Sequence, residues 1–103
     1  MKLYRQGDVL VEYFSDKLPE DVQKIASDKS RVVLAYGEVT GHAHALLSKT
    51  STLYEWQGSR LLEITKPTDL THEEHAAITL APGVYKVTQQ REYSPEAIRN
   101  VAD

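Results

Sequence analysis

The chain contains no cysteine. Disulfides and thiolate-bound metals are thereby excluded, and any metal ion has to be held through nitrogen and oxygen. No apolar run approaches the roughly 20 residues of a membrane-spanning helix. The opening stretch MKLYRQGDVLVEYF has no long apolar centre of the kind a signal peptide carries. Basic residues are not in excess: 12 Lys and Arg stand against 15 Asp and Glu, for a formal net charge of −3. That balance gives no strong nucleic-acid signal and no attraction to an anionic membrane surface. The expectation is a cytoplasmic protein, with a composition that would also suit a phage- or plasmid-encoded product.

What is present is ordinary for a globular chain. A hydrophobic share of 41% over 103 residues suffices for one domain spanning 1–103 with a modest core. Residues 8–14, DVLVEYF, are rich in β-branched and aromatic residues and read as a strand after a Gly7-Asp8 turn. In the next segment Pro19 suits a first helical position, Glu20 and Asp21 suit the positive end of a helix dipole, and Val22 and Ile25 lie three apart. A short helix over about 19–27 is predicted there. RVVLAYGE (31–38) reads as a second strand with Val32, Leu34, Tyr36 and Glu38 on one face, and HAHALLS as a third.

STLYEW and SRLLEIT flank Gln57-Gly58 and read as a β-hairpin. KPTDLTHEEHA reads as a polar connection, either irregular or a single helical turn. AITLA is a short strand, Pro82-Gly83 a turn, and VYKVTQQREY the longest strand. SPEAIRNVAD carries a serine N-cap, a proline at the first helical position and an apolar stripe, which predicts a short terminal helix. The resulting fold class is mainly β: a small antiparallel β-barrel or sandwich with one or two short helices. Exposed strand edges in so small a sheet suit a homodimer.

Histidine is the scarce residue with a pattern. All four histidines lie in two short stretches, GHAHALL (41–47) and THEEHA (71–76). On a strand, residues i and i+2 face the same side, roughly 6–7 Å apart, so His42 and His44 are able to converge on one ion. Zinc and other divalent first-row metals accept imidazole and carboxylate, usually with a third protein ligand. His72, Glu73, Glu74 and His75 are the available third ligands. His75, next to the strand AAITLA, is the preferred one, and Glu38 is the preferred carboxylate, as fourth ligand or base. HEEH is not HExxH, because its histidines are three apart rather than four.

The lines Val32–Leu34–Tyr36–Glu38 and Tyr85–Val87–Gln89–Arg91–Tyr93 both begin apolar and end polar. If both point inward, Glu38, Gln89 and Arg91 meet near the histidines at the mouth of a barrel, a common place for a ligand.

The stretches QGDVLV, GEVTGHAHAL and HEEHAAITLAPGVYKVTQQREY resemble a family of small, uncharacterised bacterial and phage-encoded proteins. That resemblance implies that the histidine segments and QREY belong to one pattern, and it supplies no activity. A looser likeness is to the cupins, small β-barrels that hold a metal through H-x-H. His42 and His44 match that pair, and APGVY resembles the Pro and Gly of the second cupin motif. No glutamate follows His44 at the cupin spacing and no histidine follows PGVY, so a cupin-like site here needs rearranged ligands.

Three functions are expected from these residues. The first is a β-barrel protein binding a divalent metal, zinc first, through His42, His44 and His75, with hydrolysis by a metal-activated water if it is an enzyme. The second is a non-catalytic β-domain that binds a protein or another macromolecule. The third is a metal-free nuclease in which two histidines act as acid and base and Arg91 steadies the phosphoryl oxygens.

Overall fold

The computed structural model describes residues 2–27, 29–37 and 41–89. Among the described residues ten strands run β1 (Leu3–Gln6), β2 (Val9–Ser15), β3 (Gln23–Ile25), β4 (Arg31–Tyr36), β5 (Ala43–Leu47), β6 (Ser51–Trp56), β7 (Ser59–Ile64), β8 (Thr68–Leu70), β9 (Ile78–Leu80) and β10 (Gly83–Gln89). Six of them form one sheet in the order β1-β2-β10-β7-β6-β3, and all its pairings are antiparallel. The remaining four form two hairpins, β4-β5 and β8-β9, joined by an antiparallel bridge between Ala45 and Thr71. The large sheet ends at β1 on one side and β3 on the other. It is open, which corrects the expectation of a barrel and retains that of a mainly antiparallel β protein.

Alternation of side chains explains where the core sits. Val9 and Val11 of β2, Leu62 and Ile64 of β7, and Tyr85 and Val87 of β10 point to one face of the large sheet. They meet Val32 and Leu34 of β4, Leu46 of β5, Leu70 of β8 and Leu80 of β9 in a single buried cluster. The hairpins therefore cover the large sheet, and each side supplies apolar surface that the other removes from water.

Two turns show how local chemistry sets register. Trp56 pairs with Ser59, and Gln57 and Gly58 between them both take positive φ, 51° and 78°. That is the pattern of a type I′ turn, whose twist matches its flanking strands. Gln6 pairs with Val9, and Gly7 is the central residue with positive φ, 60°, the pattern of type II′.

Other expectations change. Residues 19–27 are not a helix. Gln23–Ile25 is instead an edge strand paired with Leu53–Glu55 of β6, so sheet pairing overrides weak helical signals over so short a stretch. The polar connection contains β8, and residues 3–6 form an edge strand paired with β2. In β4 the register shifts between Val33 and Ala35. The extra residue reverses the alternation, so Leu34 and Ala35 are both buried and Tyr36 is 63% exposed. The bulge also frees the Leu34 carbonyl, which accepts a hydrogen bond from Arg60 Nη1 at 2.8 Å. The predicted terminal helix and the QREY end of the last strand lie outside the described residues. Among the described residues, no helix is long and apolar enough to cross a membrane.

Candidate metal centre

The β1–β2 turn, the start of β5 and the loop between β8 and β9 meet. His44 lies on β5 opposite Ala35 and is 3% exposed. His42 stands just before that strand, where its carbonyl accepts the Gly37 N–H at 2.9 Å. His72, Glu73, Glu74 and His75 sit on the loop after the Ala45–Thr71 bridge, whose paired backbone bonds tie the loop's start to β5.

All four imidazoles come together, and His72 is the ring that touches the other three. Its centroid lies 5.6 Å from His42, 4.3 Å from His44 and 4.7 Å from His75. His44 and His75 are stacked at 6.0 Å. His42, His72 and Glu73 each present a potential ligand atom within 4.8 Å of the other two. Glu73 is held there by its bond from the Ala43 N–H at 2.9 Å. Backbone donors, chiefly that of Ala43, and then His42 and His72 lower its pKa, so it is a carboxylate at neutral pH. Glu74 approaches His42 Nδ1 at 3.6 Å.

Hydrogen bonds select the neutral tautomers of two of the rings. Gln6 Nε2 donates to the carbonyls of Leu70 and Ala76 at 2.9 and 3.0 Å. Its Oε1 must then face His44 Nδ1, 2.8 Å away. An amide oxygen only accepts, so neutral His44 carries its proton on Nδ1 and has a lone pair on Nε2. That Nε2 lies 3.7 Å from Asp8 Oδ1, and Asp8 Oδ2 accepts a bond from Gln89 at 3.1 Å. His72 has the opposite arrangement: its Nδ1 accepts the Glu74 N–H at 3.0 Å, so its neutral ring carries the proton on Nε2.

Gly7 suits this packing. A Cβ there would stand 2.9 Å from His75 Nε2 and 3.2 Å from His44 Cε1. The positive φ of the turn and the close approach of two imidazoles thus ask for the same residue.

Burial pushes the His44 pKa down, as do His72 and His75, while Asp8 and Glu73 oppose them. A base whose folded pKa lies below its unfolded value of about 6.5 binds fewer protons folded than unfolded below that pH. Its contribution to stability is present above about 6.5 and is lost as pH falls through the folded value. Chelator-treated protein should therefore lose melting temperature from about pH 6.5 downward. A His44→Gln variant should show a shallower decline over the same range. Equal slopes for the two proteins would show that His44 is not the group responsible.

Of the residues expected from the sequence, His42, His44 and His75 arrive in one cluster. Glu38 and Arg91 lie outside the described residues. Gln89 reaches the site by way of Asp8. Sequence reasoning missed Gln6, Gly7 and Asp8 and ranked His72 below His75. The available signal was the turn dipeptide Gly7-Asp8, which pointed to a turn without saying what that turn faces.

The chain belongs to the family described as Domain of unknown function (DUF8820), whose model matches residues 5–90. That match includes the four histidines, Gln6, Gly7, Asp8 and Glu73. No curated protein and no solved structure matches the chain.

Proposed function

We propose that this protein binds a divalent transition metal, with zinc as the first choice, through His42, His72 and Glu73. His44 and His75 line the same cluster. The observation that carries this reading is the approach of those three ligand atoms to within 4.8 Å of one another. Two ligand atoms on a tetrahedral zinc stand roughly 3.4 Å apart, so side-chain rotation would draw the set onto one ion. A donor set of imidazole and carboxylate suits zinc, cobalt, nickel or copper better than calcium or magnesium. Burial lowers the His44 pKa, and its neutral Nδ1–H form leaves Nε2 without a proton to lose before it can ligate. Such an ion would supply a Lewis acid and an activated water, which makes hydrolysis the reaction class to assay first.

Metal capture has a structural consequence at His72. Ligation through Nδ1 displaces the Glu74 N–H. Ligation through Nε2 moves the ring proton to Nδ1, where it would face that same N–H. Whichever nitrogen is used, the Glu74 hydrogen bond is given up. Titration of chelator-treated protein with zinc should reach one ion per chain and shift the Glu74 amide resonance. A His42→Ala/His72→Ala variant should bind at least tenfold more weakly. Substoichiometric metal in the wild type, with no spectral change on adding zinc, would exclude the reading.

The opposed protonation of His44 and His72 favours one second reading. A lone pair on His44 Nε2 and a proton on His72 Nε2, on rings whose centroids lie 4.3 Å apart, are the two states that a metal-free base and acid require. Phosphodiester cleavage by chelator-treated protein, abolished by His44→Ala, would support it.

A further inference from the structure

We propose that Gln6 is the positioning residue of this centre. It sets the His44 tautomer and holds both ends of the ligand loop through one side-chain amide. This inference rests on the metal-binding reading.

Gln6 is 2% exposed, although it sits on the edge strand β1 beside a turn. Glutamine is seldom fully buried, and here the whole amide is used. Both Nε2 protons go to main-chain carbonyls, those of Leu70 and Ala76. These two residues bracket the five positions from Thr71 to His75, which carry two of the three proposed ligands, His72 and Glu73. The amide therefore closes the base of that loop as a bridge of fixed length. The same two bonds orient Oε1, and Oε1 selects the Nδ1–H form of His44. Residues from the β1–β2 turn, β5 and the β8–β9 loop are in this way referred to one planar group. By closing that loop the amide acts as an outer-shell support for the proposed ligands His72 and Glu73, and loss of such a partner typically costs about 10–100-fold in affinity.

An apolar replacement of similar length, Gln6→Met, separates these roles. In chelator-treated wild type, 15N spectra of labelled histidine should show His44 protonated at Nδ1 and bare at Nε2. In Gln6→Met that preference should be lost. Zinc affinity should fall by about tenfold or more, while the variant remains folded by circular dichroism. A His44 protonated at Nε2 in the wild type overturns the inference, and this measurement stands even if the variant fails to fold. Wild-type affinity for zinc in Gln6→Met overturns it as well and leaves the metal reading intact. Failure of the wild type to bind zinc, with His44 protonated at Nδ1, instead removes the metal reading and the role of Gln6 with it.

Discussion

Zinc at one hundred times its dissociation constant should raise the melting temperature of this protein by on the order of 10–20 °C. A ligand that binds only the folded state stabilises it by about 2.7 kcal/mol at that concentration. In a domain of this size each kcal/mol shifts the midpoint by about 4–8 °C. The unfolded chain competes poorly because the ligands come from separate segments. His42 and Glu73 are thirty-one positions apart in sequence, and the Ala45–Thr71 bridge brings their segments together. The ion would tie the β4–β5 hairpin to the β8–β9 loop, over the turn that opens the large sheet. Cobalt and nickel should act similarly. Magnesium and calcium at equal concentration should not, because they favour six or more oxygen ligands or retained water. The double variant His42→Ala/His72→Ala should lose most of the shift. An equal rise in that variant would place the zinc elsewhere on the chain.

How much of this could be read in advance depended on whether the deciding interaction was local. The β6–β7 hairpin was legible because Gln57-Gly58 adopts one tight turn and the flanking residues alternate. β2, β9 and most of β10 were legible from runs of β-branched and aromatic residues. β3 was not, since Pro19, Glu20 and Asp21 carry helix-start chemistry, while the pairing of Gln23–Ile25 is to a strand about thirty residues further on. The bulge in β4 left no local mark either, so Tyr36 was assigned to the inner face and lies outside.

The site divides along the same line. The H-x-H spacing suggested one strand face for His42 and His44, but β5 begins at Ala43 and each of the two rings meets His72. Which member of the second doublet lies centrally depends on the path of the loop after Thr71, and this is set by bonds to Ala45 and Gln6. Gln6 contacts His44 across thirty-eight positions. A glutamine in a polar N-terminal stretch gives no sign of being buried, so its role becomes visible only once β1 is folded against the site.

Replacing Tyr85 by alanine should cost about 3–5 kcal/mol, as removal of a buried aromatic typically does. Against the roughly 5–15 kcal/mol that stabilises an ordinary domain, that is a large part of the total. Tyr85 is 1% exposed at the middle of β10. Its Cα partners are Tyr13 of β2 and Leu62 of β7, so the ring lies where the large sheet is paired on both sides. It meets Tyr13 edge-on at 5.8 Å and Tyr4 at 6.4 Å, and its hydroxyl donates to the Ala81 carbonyl at 2.7 Å. Tyr85→Phe keeps the ring and removes only that bond, for a loss of about 1 kcal/mol. Urea unfolding of the three proteins should rank them in that order, with unchanged m-values if the denatured state is unaltered. A loss below about 1 kcal/mol in Tyr85→Ala would mean that the hairpins and large sheet do not share this core. The same variant links fold to function. Zinc at one hundred times its dissociation constant for Tyr85→Ala should restore about 2.7 kcal/mol, most of what the substitution removes. Rescue by zinc and its absence when His42 and His72 are also changed would show that the ion and the core stabilise one cooperative unit.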